Sequence, residues 1–196
     1  NDGLAFRYIF PQAFSKDSLF ITDELTEFRF AEDMQAWHIP ADFDSYEKLY
    51  SQKKLSQMQS ANTPLSMRRN TGVGYISLHE AALSDYAGMT FKKSPDDSLC
   101  LEADLVPWPD GVKVRQKPPF KTPWRSIQLS EDAAGLVESN LLLNLNPPVA
   151  IENTSWIRPV KYMGIWWEMH LGTHTWEEGP RHGATTERMA GLIDFA

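Results

Sequence analysis

Apolar and polar positions alternate in short bursts over the first two-thirds of the chain. Runs at 4–10, 19–22, 27–30, 75–82, 86–91, 99–106, 112–116 and 124–129 are rich in β-branched and aromatic residues, and each predicts a strand. Turn chemistry separates them at Ser84-Asp85, Ser94-Pro95-Asp96-Asp97 and Pro107-Trp108-Pro109-Asp110-Gly111. Many short strands with such turns predict a sandwich of antiparallel sheets. Residues 41–70 are less regular and rich in Ser, Gln, Lys and Asn, which predicts a long surface excursion. Between 130 and 143, Leu136, Asn140 and Leu143, with Val137 and Leu141, give a partial 3.6 period. That predicts a helix with Asp132 favourably placed in its first turn, ended by Asn144-Leu145-Asn146-Pro147-Pro148.

The pattern changes near the end. Tyr162-Met163-Gly164-Ile165-Trp166-Trp167 is nearly all apolar, as a strand buried on both faces would be. A polar loop rich in Gly and His follows over 170–184, and then Thr185 or Thr186 is placed to cap a helix. Met189, Leu192, Ile193 and Ala196 form one stripe of that helix. Strand, loop and amphipathic helix together read as a βα step of a parallel sheet, whose next strand must follow the helix. The chain is therefore expected to stop after the first step of a larger parallel structure. With a strand predicted from Leu4, it is also expected to begin inside a folded unit, the missing part being a signal, a leader or a set of strands. The alternative is a strand and helix that cap the first domain.

Composition narrows the classes. With 196 residues the chain suits one domain, or one domain and part of another. Its formal charge of −7 argues against a general basic face for DNA or RNA, so no nucleic-acid partner is expected. No run of about 18 apolar residues exists, so no membrane span is expected. The single Cys100 excludes an internal disulfide and a multi-cysteine metal site, and reads as a half-buried strand residue. The many aromatic rings suit either a core or stacking on flat ligands such as sugars.

Glu80 is the strongest local anomaly. Strand alternation puts it in one row with Ile76, Leu78 and Ala82. A carboxylate in a buried row must be protonated, paired with a cation or bound to a metal; at the strand end it would instead reach water. His170 and His174 have the i, i+4 spacing of zinc-binding helices, and His182, Glu177 and Glu178 lie near. Gly172 between them and the lack of helical period favour a polar loop. Glu168 closes the predicted strand, and an inward Trp166 or Trp167 would offer a face to a sugar ring, unless both are core residues. Gly72-Val73-Gly74 is a lone glycine pair, and neither a nucleophile elbow nor a P-loop is present.

Four segments then stand out together. They are 76–89 (ISLHEAALSDYAGM), Thr122-Pro123-Trp124-Arg125, Leu142-Leu143-Asn144-Leu145-Asn146-Pro147-Pro148, and Ser155-Trp156-Ile157-Arg158-Pro159 through Gly164-Ile165-Trp166-Trp167-Glu168-Met169-His170. In this order they resemble glycoside hydrolase family 97, the bacterial α-glucosidases and α-galactosidases. The resemblance implies a mainly β chain: an antiparallel β-super-sandwich of the galactose-mutarotase-like kind over 1–130, incomplete at its start. It implies a helix and linker over 131–154, and the start of a truncated (β/α)8 catalytic barrel over 155–196. It implies a calcium ion held by glutamates, one of them Glu80 in the His-Glu-Ala-Ala segment, and hard Ca²⁺ does prefer such oxygens. It implies a sugar pocket lined by Trp166 or Trp167, an oligosaccharide substrate, and a secreted or periplasmic parent protein whose remaining barrel completes the site. The family's catalytic carboxylates fall on later barrel strands, so none is assigned within this chain. Trp-Glu-Met-His at 167–170 departs from some members and leaves the preferred sugar open.

Two other readings stay beside this one. A stand-alone carbohydrate-binding β-sandwich would bind sugar without cleaving it. An interaction module would dock its C-terminal helical stripe on a partner.

Overall fold

The computed structural model describes residues 2–72 and 74–196; Val73, the centre of the glycine pair, lies outside the described residues, as does Asn1. The strands in chain order are β1 (Gly3–Phe6), β2 (Ile9–Phe10), β3 (Leu19–Ile21), β4 (Glu27–Arg29), β5 (Gln35–His38), β6 (Ser51–Lys54) and β7 (Ser60–Asn62). There follow β8 (Leu65–Arg68), β9 (Tyr75–Ala81), β10 (Met89–Lys93), β11 (Cys100–Leu105), β12 (Val114–Gln116), β13 (Phe120–Lys121) and β14 (Trp124–Ser130). The helices are α1 (Ala133–Glu138), α2 (Leu141–Leu145), α3 (Trp166–His170) and α4 (Thr186–Phe195). The chain divides into two compact units, Asn1–Pro148 and Val149–Ala196.

The first unit is mainly antiparallel β. One sheet runs β1-β14-β9-β8-β5-β6, a second runs β4-β11-β10-β7, and two short ribbons pair β12 with β3 and β13 with β2. Strand alternation sorts the faces. On the central pair, Leu129↔Ile76, Ile127↔Leu78 and Arg125↔Glu80 share one side, and Gln128↔Ser77 and Ser126↔His79 share the other. The first side meets the core, where Leu78 is fully buried and Ile76 and Ile127 pack against the buried cluster that includes Phe28, Phe91, Leu101 and Leu105. Each fully buried Leu or Phe contributes roughly 1.5–3 kcal/mol by leaving water. Cys100, expected half-buried, is fully buried on β11.

Of the stretch 41–70, only residues 41–50 run as an irregular, largely exposed segment. The rest supplies β6, β7, β8 and a 3-10 turn at Leu55–Gln57, and its Leu55, Met58, Ala61, Leu65 and Met67 are fully buried. Met, Ala and polar spacers carry little β signal of their own. These strands form because Leu65 and Met67 fall opposite Leu78 and Ile76 in register. The helix expected over 130–143 is broken in two. Asp132 caps α1 by accepting from the Gly135 N–H at 2.9 Å, and Ser139 turns extended and hydrogen-bonds Asp2 at 2.6 Å. Both short helices pack on β14 and β9, inside the first unit.

In the second unit the strand expected over 162–167 is replaced. Residues 150–165 form no strand among the described residues, and Trp166–His170 is helical. A strand needs a neighbour to receive its amides and carbonyls. The second unit holds only an isolated bridge, Thr175 to His182, so local helical bonds such as Leu171 N–H to Trp167 O (3.0 Å) take up the backbone groups instead. The amphipathic helix does form as α4, with Thr185 as its cap, accepting from the Arg188 N–H.

Candidate functional site

Glu80 ends the core-facing row of β9, and the register sets Arg125 of β14 opposite it. The Arg125 side chain has no solvent contact and makes three charge-assisted hydrogen bonds. Its Nη1 donates to Glu80 Oε2 at 2.7 Å. Its Nε and Nη2 grip Glu24 side-on, at 2.7 Å to Oε1 and 2.6 Å to Oε2. The second oxygen of Glu80 accepts the Met89 backbone N–H at 3.1 Å. Glu24 is further held by the Thr26 hydroxyl at 2.9 Å and the Tyr86 hydroxyl at 3.4 Å.

Burial of an unpaired ion costs several kcal/mol, so the three charges are interdependent. Two carboxylates against one guanidinium leave the cluster one negative charge in excess. Burial pushes the Glu80 carboxyl above its ordinary value, opposed by the Met89 N–H and Arg125. Burial also raises Tyr86, which stays protonated and donates. Of the fates open to Glu80, pairing with a cation is the one the fold supplies.

A carboxylate offers about four lone pairs, and Glu80 uses two, one on each oxygen. It thus fits as one arm of a calcium site. It is not a site alone, since Ca²⁺ takes six to eight oxygens. No group of three or more His, Cys, Asp or Glu able to hold a metal occurs among the described residues.

Trp166 and Trp167 belong to the second unit, on α3, and are 59% and 69% exposed. The Trp166 ring meets His170 and Trp176 edge-on, at centroid distances of 5.3 and 5.8 Å. A groove of about 290 Å³ opens among Trp166, His170, His174, Trp176, Glu177 and Arg181. Its frame is Glu168, gripped by both Nε (2.9 Å) and Nη2 of Arg188 on α4, which holds the carboxyl below the usual range. His174 Nδ1 lies 3.8 Å from Glu168 Oε2.

Arg125, Glu24 and Trp176 escaped the sequence reading as site residues. Arg125 carried the same signal as Glu80: in the predicted strand 124–129 it shares a row with Ile127 and Leu129. Glu24 sits in the loop between β3 and β4, where no alternation marks it.

Comparison with known proteins bears on the whole chain. The profile described as "Glycosyl-hydrolase 97 N-terminal" matches residues 1–148. A retaining alpha-galactosidase of Bacteroides thetaiotaomicron is 24% identical over 200 residues, covering 85% of this chain and 29% of that protein. A probable retaining alpha-galactosidase of Streptomyces bingchenggensis is 26% identical over 200 residues, covering 100% of this chain and 28% of that protein. A solved glycoside hydrolase family 97 enzyme from Pseudoalteromonas sp. strain K8, in complex with acarbose, superimposes with a TM-score of 0.80 at 42% identity. That match covers 100% of this chain and 30% of that one. Another structure from the same source, matched equally well, holds panose. The chain spans less than a third of the length of these relatives.

Proposed function

Since the chain belongs to the glycosyl-hydrolase 97 N-terminal family, we propose that it is the N-terminal β-sandwich part of a glycoside hydrolase acting on oligosaccharides at terminal α-glycosidic bonds. The observation that carries this reading is the likeness along the whole of this chain, at 42% identity and a TM-score of 0.80, to part of a family 97 enzyme holding acarbose. The two curated relatives named as retaining alpha-galactosidases favour α-galactosides. The acarbose and panose complexes keep α-glucosides beside them.

Hydrolysis of such a bond needs two carboxyl groups facing it, one to protonate the leaving oxygen and one to attack or to activate water. Glu24 and Glu80 are both held on Arg125 and are not free for either task. The family resemblance puts the acid and base on later strands of the parent's barrel, so the chain alone is expected to be inactive. Its own contribution is to hold. Arg125 and the Met89 N–H orient Glu80 so that its unused lone pairs form one arm of a calcium site completed by the parent. Bound calcium would supply positive charge to steady developing negative charge on oxygen. Trp166 and Trp167, exposed on α3, serve as stacking surfaces for sugar rings. A parent of this kind works in the periplasm or outside the cell.

The full-length parent, assayed with calcium on aryl α-galactosides and aryl α-glucosides, is expected to release the aryl alcohol from at least one. Release from neither overturns the reading. Glu80→Gln in that parent should lower calcium affinity, measured by titration of the chelated enzyme, together with activity. Unchanged calcium affinity removes Glu80 from the site.

A further inference from the structure

The turn Pro107-Trp108-Pro109-Asp110-Gly111 has no part in the site described above, yet it is firmly built. Trp108 N–H donates to Val112 O, and Gly111 N–H to Trp108 O, both at 2.8 Å. Gly111 sits at φ +85°, where an L side chain would be strained, so glycine closes the turn. The result is a Trp108 ring presented on a rigid backbone while 57% exposed. Arg115 lies over that ring at 5.6 Å and is itself fixed by an ion pair with Asp110.

Trp108 forms one wall of a groove of about 560 Å³ in the first unit. The loop 85–88, which leads from β9 into β10 and whose Tyr86 also bonds Glu24, lines it as well. The walls are tied together by the Val106 N–H to Gly88 O bond at 3.0 Å and by Gln116 Nε2 to Asp85 O at 2.6 Å. The floor is apolar, with Ala87, Val106 and Val114, while Asp85, Lys113 and Arg115 bring charge to the lining. An apolar cleft of this size with a few fixed polar groups is the usual form of a small-ligand site.

The chemistry of the lining selects the ligand. A flat indole matches the C–H face of a pyranose ring, and a carboxylate and a planar guanidinium match pairs of ring hydroxyls as acceptor and donor. The mixed charge suits a neutral polyol better than an anion. We propose that this groove binds a short α-linked oligosaccharide, with Trp108 as the stacking platform and Arg115 and Asp85 as the hydroxyl partners. It rests on the preceding reading only for the ligand class. All the residues of this chain that line it lie within the first unit.

The test is a nuclear magnetic resonance titration of the 196-residue chain with melibiose and with maltotriose. Saturable shifts of the Trp108 indole N–H and of the Gly111 and Arg115 amides are expected for at least one sugar, with a dissociation constant in the millimolar range. Trp108→Ala should abolish them, and Trp108→Phe should restore part of the affinity. Arg115→Ala should weaken binding about tenfold, the loss of roughly one good hydrogen bond. The proposal is overturned if neither sugar moves these signals, if shifts are confined to residues 166–181, or if Trp108→Ala binds as well as the parent chain. Failure of the glycosidase reading would appear elsewhere, as absence of hydrolysis by the full-length parent.

Discussion

Arg125 has both carboxylates of its cluster within 2.7 Å and its side chain is fully buried. Arg125→Met would leave Glu24 and Glu80 facing each other without a counter-charge. A loss of about 3–5 kcal/mol in unfolding free energy is expected from urea titration, the cost typical of stranding a buried charge. A loss below about 1 kcal/mol would mean that the cluster is not interdependent. Glu32 shows the opposite situation at the surface. It accepts from Arg69 Nε at 2.7 Å, from the Thr71 hydroxyl at 2.9 Å and from the Asn70 and Thr71 N–H groups. These donors, Arg69 first, lower its pKa from 4.5 to about 2. Below 4.5 the unfolded chain takes up the proton before the folded chain does. The stability contributed by Glu32 is therefore full above 4.5 and is lost as the pH falls to about 2. Melting curves of Glu32→Gln over that window should fall less steeply with acid than those of the unchanged chain. At this scale alternation alone exposed Glu80, because a charge in an apolar row is visible without a partner. Arg125 stands in an equivalent row, but alternation by itself does not say that the two side chains meet.

Elements were legible in proportion to how much of their stabilisation is local. β9, β11 and β14 have strong two-residue alternation and lie where the pattern puts them. β7 and β8, with Ser60, Ala61, Ser66 and Met67, are strands because β10 and β9 offer them edges. The apolar run 162–167 shows the converse, since strong hydrophobicity without a neighbouring strand leaves a helical turn at Trp166–His170. The cap at Thr185 was readable because it is local, whereas Asp132, expected inside the first turn, is instead the N-cap of α1. Asp132→Ala removes the acceptor for the Gly135 N–H and should cost about 1 kcal/mol. Chemical denaturation of the first unit checks this, and an unchanged midpoint would show that α1 is held by packing on β14 and β9 alone.

At the scale of the molecule the two units differ in kind. The first has a continuous core from both sheets. In the second, Gly183 is the one buried residue among those described, while Trp156, Tyr162, Trp167 and Phe195 are exposed. Isolated helices shorter than about 12–15 residues are marginal in water, and α4 falls below that length. A peptide of residues 1–148 is expected to melt in one sharp calorimetric transition, and one of residues 149–196 to show none. A cooperative transition in the shorter peptide would give the second unit a stability of its own.

Alternation, turn residues and four motif segments were sufficient to announce an antiparallel sandwich, its relatives and a misplaced carboxylate at Glu80. These are local properties, set by the two-residue repeat of a strand and the φ preferences of single residues. The partner of that carboxylate was a matter for the tertiary structure. Arg125 lies 45 positions from Glu80, and Glu24 lies 101 from Arg125. Their meeting depends on which strands pair and in which register. That choice is made by the closing of the whole core, to which no single stretch of chain has access.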